Sequence, residues 1–328
     1  GLPQYVTAQS DKPVRSEGIA PASWSSLPTD RDTETLSLPE LPPAQPVTSS
    51  FPTAADQAGI SRQALARLMR PSFRFAAEWE PESSGIALAS YDLTATMPTI
   101  PIWGPPPPFI SAGFSYTDID APPIADLPSE LYDVSLGFQW VRPINDRWLT
   151  RLMFSTAFAS DRRNTSSDAW QFRGGVFAVY RRSAEWSLLG GAIATGRKDI
   201  PVLPGLGAIW QPNPNVRFDL KLPQPRASWR LSDNGLRQQW VYFGGGFSGG
   251  TWAYERASGR DDLLTYREWR LALGWESTPT PEPGALFVGG AKCGAEIGFV
   301  FGREFEFDSL APDIRPDAAL LLRATMSL

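Results

Sequence analysis

The 328-residue sequence contains no histidine. That removes Ser-His and Cys-His nucleophilic pairs, the commonest general base and the commonest metal ligand. Catalytic, cofactor-binding and metal-binding residues are therefore not expected. There is one cysteine, Cys293, so no intrachain disulfide can form. Beside Gly294 and Ala295 in a strand-like stretch, Cys293 reads as a small buried or lipid-facing residue. No run approaches the ~20 apolar residues that a membrane helix requires. The formal net charge of −5 leaves no basic excess to suit nucleic acid. A basic start and an apolar core are both missing at the N-terminus, and Gly1 stands where a lipoprotein anchor needs cysteine. The numbering is accordingly expected to begin at or near a mature N-terminus.

What is present is aromatic and alternating. There are 13 Trp, 18 Phe and 8 Tyr residues. From Pro71 to Leu328 the pattern has a period of two. In Leu131–Val141, Tyr132, Val134, Leu136, Phe138 and Trp140 share one face, and Asp133, Ser135, Gly137 and Gln139 share the other. Trp148, Leu152, Phe154 and Phe158 oppose Arg151 and Ser155 in the next segment. Trp170, Phe172, Val176 and Tyr180 then oppose Gln171, Arg173, Gly175 and Arg181. Trp269, Leu271, Leu273 and Trp275 oppose Glu268, Arg270, Gly274 and Glu276. The final segment alternates from Ala318 to Leu328. A wet outer face of a soluble sandwich is consistently polar and often Lys-rich. Here the second face is rich in Gly, Ala and Ser with charges of both signs, as in the lumen of a lipid-wrapped sheet. The pattern predicts an all-β, antiparallel, transmembrane up-and-down β-barrel of the outer-membrane type.

Residues 1–54 are rich in Pro, Ser, Thr and Asp without periodicity. They read as an extended arm or linker, either disordered or laid along the barrel or a partner protein. Ile60, Leu65 and Leu68 at near-helical spacing predict one short helix within 55–70, ended by Pro71. Short turns are expected at 143–146, 183–185, 212–215 and 232–235, with a short connection at 278–284. Longer links are expected at 119–130, 160–168, 196–204, 256–262 and 308–317. Barrels of this kind keep periplasmic turns short. The alternation puts both termini in the periplasm, with an even number of strands in the outer membrane. The count turns on 216–231. Val216, Phe218, Leu220 and Leu222 are even, but after Pro223-Gln224-Pro225 the apolar set Ala227, Trp229 and Leu231 is odd. A tight turn here gives about 14 strands; a bulge within one strand gives 12.

The second face collects charge. Lumen-facing candidates are Arg74, Glu78, Asp92, Asp133, Arg151, Arg173, Arg217, Asp219, Lys221, Arg226, Arg230, Glu268, Arg270, Glu296, Glu304 and Arg323. They fit a pore lining with weak ion selectivity, or a lumen cross-braced by Arg–carboxylate pairs. Gly244-Gly245-Gly246 and Gly249-Gly250 lack the lysine and helix of a phosphate loop. They are expected to form bulges or to make room for bulky neighbours. Pro105–Pro108 is expected to be a stiff connection at the periplasmic rim.

Three stretches, Leu203–Asn213, Gly246–Trp252 and Gly298–Phe307, carry a resemblance to a family. Over about residues 85–328 the chain resembles a family of uncharacterised outer-membrane β-barrels known as a domain of unknown function. The resemblance implies a barrel fold and an outer-membrane location, and it carries over no functional residue. Two functions follow as expectations: a narrow channel for small solutes, or a non-transporting barrel that anchors a larger assembly through its arm and loops. The bilayer is the expected partner in either case.

Overall fold

The computed structural model describes residues 71–101, 104, 106–280, 290–309 and 311–328. The arm at 1–54 and the helix expected within 55–70 lie outside the described residues.

Alternation of bulky apolar with small or polar residues yields strands throughout. They are β1 (Ser72–Ser83), β2 (Ile86–Pro98), β3 (Phe109–Asp120), β4 (Glu130–Pro143), β5 (Trp148–Ser160), β6 (Trp170–Arg181), β7 (Trp186–Ala194) and β8 (Val202–Pro204). The remainder are β9 (Gly207–Asn213), β10 (Val216–Lys221), β11 (Arg226–Asp233), β12 (Arg237–Glu255), β13 (Asp261–Pro279), β14 (Lys292–Phe307) and β15 (Ala319–Ser327). Sequence neighbours pair throughout except β8 with β9, and β1 pairs antiparallel with β15 from Arg74↔Ser327 to Trp79↔Leu322, which closes the ring. β8 and β9 lie along the same edge of β7 in one continuous register, Ala192↔Pro204 and Leu189↔Gly207. The ring is therefore a closed antiparallel barrel of 14 strands, with β8 as a short extra piece in line with β9.

The proline break is a tight turn. β10 ends at Lys221, β11 starts at Arg226, and Phe218 pairs with Ala227. Even residues of one strand thus share a face with odd residues of the next, which is the observed change of phase. The count of 12 is excluded. The glycine run differs from one of its two expectations. β12 and β13 pair from Arg237↔Pro279 to Glu255↔Asp261 without a shift, so no bulge interrupts this ladder. Gly246 and Gly249 have φ of 149° and 128°, and a Cβ there would strike the Pro223 and Tyr266 carbonyls. They permit close backbone approach. Room for a bulky ring is made within the run at Gly250, where a Cβ would strike the Trp252 indole, and also at Gly274, against which the Tyr242 ring lies.

The exposed face is apolar on every wall. Phe75, Leu93, Phe114, Leu136, Phe154, Phe172, Leu188, Leu220, Trp229, Phe243, Leu271 and Phe299 all lie on it, exposed. Trp148–Tyr180 and the stack Trp186–Trp210–Phe218 mark the rim nearer the chain ends of the barrel. Such a surface suits hydrocarbon, not water. Cys293 shares this face with Ala295 and Ile297, near the same rim.

The rim that holds the first residues of β1 and the last of β15 is called here the terminal rim, and the opposite one the far rim. Turns 144–147, 182–185, 214–215 and 234–236 are short and lie at the terminal rim. Two links depart from the expected alternation. The connection expected to be short at 278–284 runs from 280 to 291, because Pro279 stops the ladder while β14 begins only at Lys292. Its residues 281–289 are outside the described set. Conversely, β1 and β2 are joined at the far rim by Ser84-Gly85 alone. The expected 196–204 link includes β8. The base of the proline-rich link is closed by the Thr99 amide donating to the Pro108 carbonyl at 2.8 Å.

Leu271 and Phe299 pair directly on the exposed face, 47% and 62% exposed. Arginine at either position is expected to cost about 2–4 kcal/mol of stability in a bilayer. Thr94→Arg on the opposite face should cost much less. Denaturant titration in phospholipid vesicles measures both.

Candidate functional site

The face opposite the aromatic one carries a linked set of charges. Arg270 on β13 donates to both oxygens of Glu78 on β1 at 2.7 and 2.6 Å. β14 and β15 stand between those strands, so only the concave side of a closed ring permits the contact. Arg270 also binds Glu268. Tyr266 donates to Glu268 at 2.6 Å and receives a hydrogen bond from Arg303 at 3.1 Å. Arg303 lies 3.3 Å from Glu80. Arg323 on β15 lies 3.7 Å from Glu78 and 3.7 Å from Glu296, and Tyr242 donates to Glu296 at 2.5 Å. Glu78, Glu80 and Glu268 each bring one carboxylate oxygen within 4.8 Å of the others, a spacing that would suit a cation. The guanidinium groups of Arg270 and Arg303 already supply that charge. The cluster reads as a brace, since buried charges persist only when paired and hydrogen-bonded.

The other predicted residues form smaller groups. Arg173 binds Asp133 at 2.5 Å and Gln171 at 2.7 Å. Asp219 is held between Arg217 at 2.9 Å and Lys221 at 3.3 Å on its own strand. Arg226 binds Glu276 at 2.7 Å and lies over the Tyr242 ring at 3.5 Å. Arg230 binds Asp233 at 2.9 Å. Arg151 is exposed and donates to Gln139 at 2.9 Å. Arg74 and Asp92 hold no ion pair among the described residues.

One expectation is corrected. Glu304 does not join the interior charges; it binds Arg315 at 2.6 Å and Arg267 on the opposite face. The register of β13 and β14 shifts between Arg267 and Trp269. At that shift Gly302 takes φ 58°, a left-handed conformation open to glycine. The extra residue reverses the phase of β14, turning Arg303 inward to 1% exposure and Glu304 away. Simple alternation hid Arg303 for this reason, and the glycine inside GREFEF was the only signal.

The far mouth is covered. β12 and β13 run 19 residues each, whereas β9, β10 and β11 have only 7, 6 and 8. A 14-strand ring at ~4.8 Å spacing and ~40° tilt measures roughly 28 Å between backbones. The overhang of β12 nevertheless reaches β5, six strands round the ring, in a parallel bridge Ala253↔Ser160. Asp161 accepts from the Glu255 amide at 3.0 Å, and Gln171 donates to the Thr251 carbonyl at 2.6 Å. Beneath it, Tyr254, Leu264, Tyr266, Phe305 and Phe307 from β12–β14 bury against Ile86, Leu88, Ile119 and Leu131 from β2–β4. Arg256 latches the loops. It binds Asp262 at 2.6 Å, Asp126 at 3.1 Å and Ser309 at 3.0 Å. Lys198 reaches Asp308 at 2.8 Å.

Asp262 and Asp199 lie in this cap, beyond the exposed aromatic belt that ends at Trp269. Burial pushes both carboxyls upward. Hydrogen bonds from Ser309 and Arg256 to Asp262, and from Arg197 to Asp199, outweigh it and hold both below the usual range.

An outer-membrane-type β-barrel with a braced interior and a covered mouth is thus defined. The family model described as a domain of unknown function (DUF6268) matches residues 109–277, more than half of the chain, and the chain belongs to that family. The match spans the Leu203–Asn213 and Gly246–Trp252 stretches and stops short of Gly298–Phe307. No curated protein matches the sequence. Among solved structures, a bacterial polysaccharide outer membrane secretin is 9% identical with a TM-score of 0.40, covering 79% of this chain and 98% of its own. The COG4313 outer membrane channel from Pseudomonas putida F1 is 10% identical with a TM-score of 0.34, over 79% and 95%. The NanC porin is 11% identical with a TM-score of 0.29, over 79% and 99%.

Replacing Arg270 by Met leaves three facing carboxylates with less compensation and is expected to destabilise the barrel by about 3–5 kcal/mol. Adding Glu78→Gln should restore part of that loss, which a double-mutant cycle of unfolding free energies reads. The cap should respond to acid. Both carboxyls titrate lower when folded, so their contribution is complete above the unfolded value near 4 and is lost as pH falls through the folded value. The Leu263 and Ser309 amides, held by Asp262 at 2.9 and 3.0 Å, should lose hydrogen-exchange protection below about pH 4, after correction for intrinsic rates.

Proposed function

We propose that this chain is an outer-membrane channel for small solutes whose far mouth is closed by the β12–β14 cap in the conformation described. The charged face is taken as the lining of a water-filled lumen. The observation that carries the reading is the contrast along that face. Toward the far rim the charges are paired and roofed by apolar side chains, whereas toward the terminal rim Arg74 and Arg151 stand exposed. A solid brace would have no use for exposed charge on the concave side. The orientation that fits this reading has both ends of the barrel in the periplasm and the cap outside. Trypsin added to whole cells would then cut at Arg256 or Arg260, and never at Arg147 in the 144–147 turn.

A second reading is favoured by the apolar cluster itself. Residues from β2–β4 and β12–β14 meet across the mouth, as they would in a non-conducting barrel that anchors an assembly through residues 1–54 and the loops.

Planar-bilayer recording separates the two. A channel gives small, infrequent openings that become larger or more frequent when the cap is loosened, at the latch by Arg256→Ala or at the β12 overhang by Asp161→Ala. Silence of the wild type and of both variants, with the barrel folded, would sink the channel reading.

A further inference from the structure

The terminal mouth holds two cations that the brace does not use. Arg74 on β1 and Lys292 on β14 both register with Ser327 on β15, one from each side. At ~4.8 Å per strand their Cα atoms lie roughly 10 Å apart, which lets both side chains reach one ligand between them. They line a cavity of about 130 Å³ with the hydroxyl-bearing Thr278, Thr325 and Ser327 and with Glu276. Glu276 is already bound to Arg226 at 2.7 Å. Arg173, Arg217, Arg226, Arg270 and Arg323 each have a carboxylate partner. Arg74 and Lys292 have none among the described residues. Arg151, exposed on β5 and bound to neutral Gln139 with no carboxylate partner among the described residues, adds a third positive charge toward the terminal rim.

We infer that the terminal mouth is a binding site for a small oxyanion, a carboxylate or a phosphate, held between Arg74 and Lys292 with Ser327, Thr325 and Thr278 donating hydroxyl hydrogen bonds. Two cations without carboxylate partners beside three hydroxyls form a donor set without a matching acceptor, and an oxyanion supplies several acceptors at once. In a channel this site makes anions the favoured solute class. That consequence rests on the channel reading, whereas the binding site needs only a water-filled terminal half.

The test uses the full chain in detergent, titrated with inorganic phosphate and separately with acetate by calorimetry. Saturable binding of at least one is expected. Arg74→Gln and Lys292→Gln should each weaken it about tenfold, and the double variant should abolish it. Arg162→Gln at the far rim should leave it unchanged, and heat-modified gel mobility reports that every variant is folded. Binding of neither anion, or binding untouched in the double variant, overturns the inference. Reversal potentials across a salt gradient add the functional arm. Anion preference in the wild type that disappears in the double variant supports the inference, and openings without anion preference overturn its solute-class part alone. A barrel that binds phosphate yet never opens keeps the site and overturns the channel.

Discussion

In hydrocarbon, a backbone N–H or C=O without a partner costs several kcal/mol, and no water is available to relieve it. A sheet can cross a bilayer only if its two edge strands find each other. The pairing of β1 with β15, from Arg74↔Ser327 to Trp79↔Leu322, is therefore the contact on which everything else depends. It removes both edges, forces every residue to face either lipid or the interior, and brings Glu78 within reach of Arg270 over two strands. Without closure the aromatic face would be an aggregation surface and the carboxylates of β1 would have no guanidinium group.

The interior holds one linked set of braced charges and, near the terminal rim, two cations that take no part in it. Side chains from β1, β13, β14 and β15 neutralise one another around Glu78, Glu80 and Glu268. Above them the long β12–β13 hairpin bends across the ring and buries an apolar cluster against the opposite wall. The low wall at β9–β11 is what leaves room for that bend. A latch made of one arginine, Asp262 of β13 and the loop residues Asp126 and Ser309 suits a cover that can be released, because its strength depends on a few charge-assisted bonds.

Much of this was legible in the residues. Alternation separated an apolar from a charged face, and the change of phase at Pro223–Pro225 narrowed the count to about 14 or 12, which the β10–β11 pairing settled as 14. Period-two reading succeeds where a strand is regular, because each residue then has one of two environments. It failed at Gly302, where one residue in a left-handed conformation exchanged the faces of Arg303 and Glu304. It also misjudged the link after β13, since prolines end pairing without saying where the chain returns.

By itself the sequence determined that the chain is β throughout the described barrel, that one face is apolar and the other charged, and that no histidine-based chemistry is available. These properties are local, set by side-chain type and a period of two. Only the tertiary structure decided which charges meet, that β12 crosses to β5, and that Arg74 and Lys292 share a cavity with no carboxylate partner of their own among the described residues. Such relations join residues dozens to hundreds of positions apart. They depend on ring closure, strand length and local shifts of register such as the one at Gly302, and no short pattern of side chains encodes them.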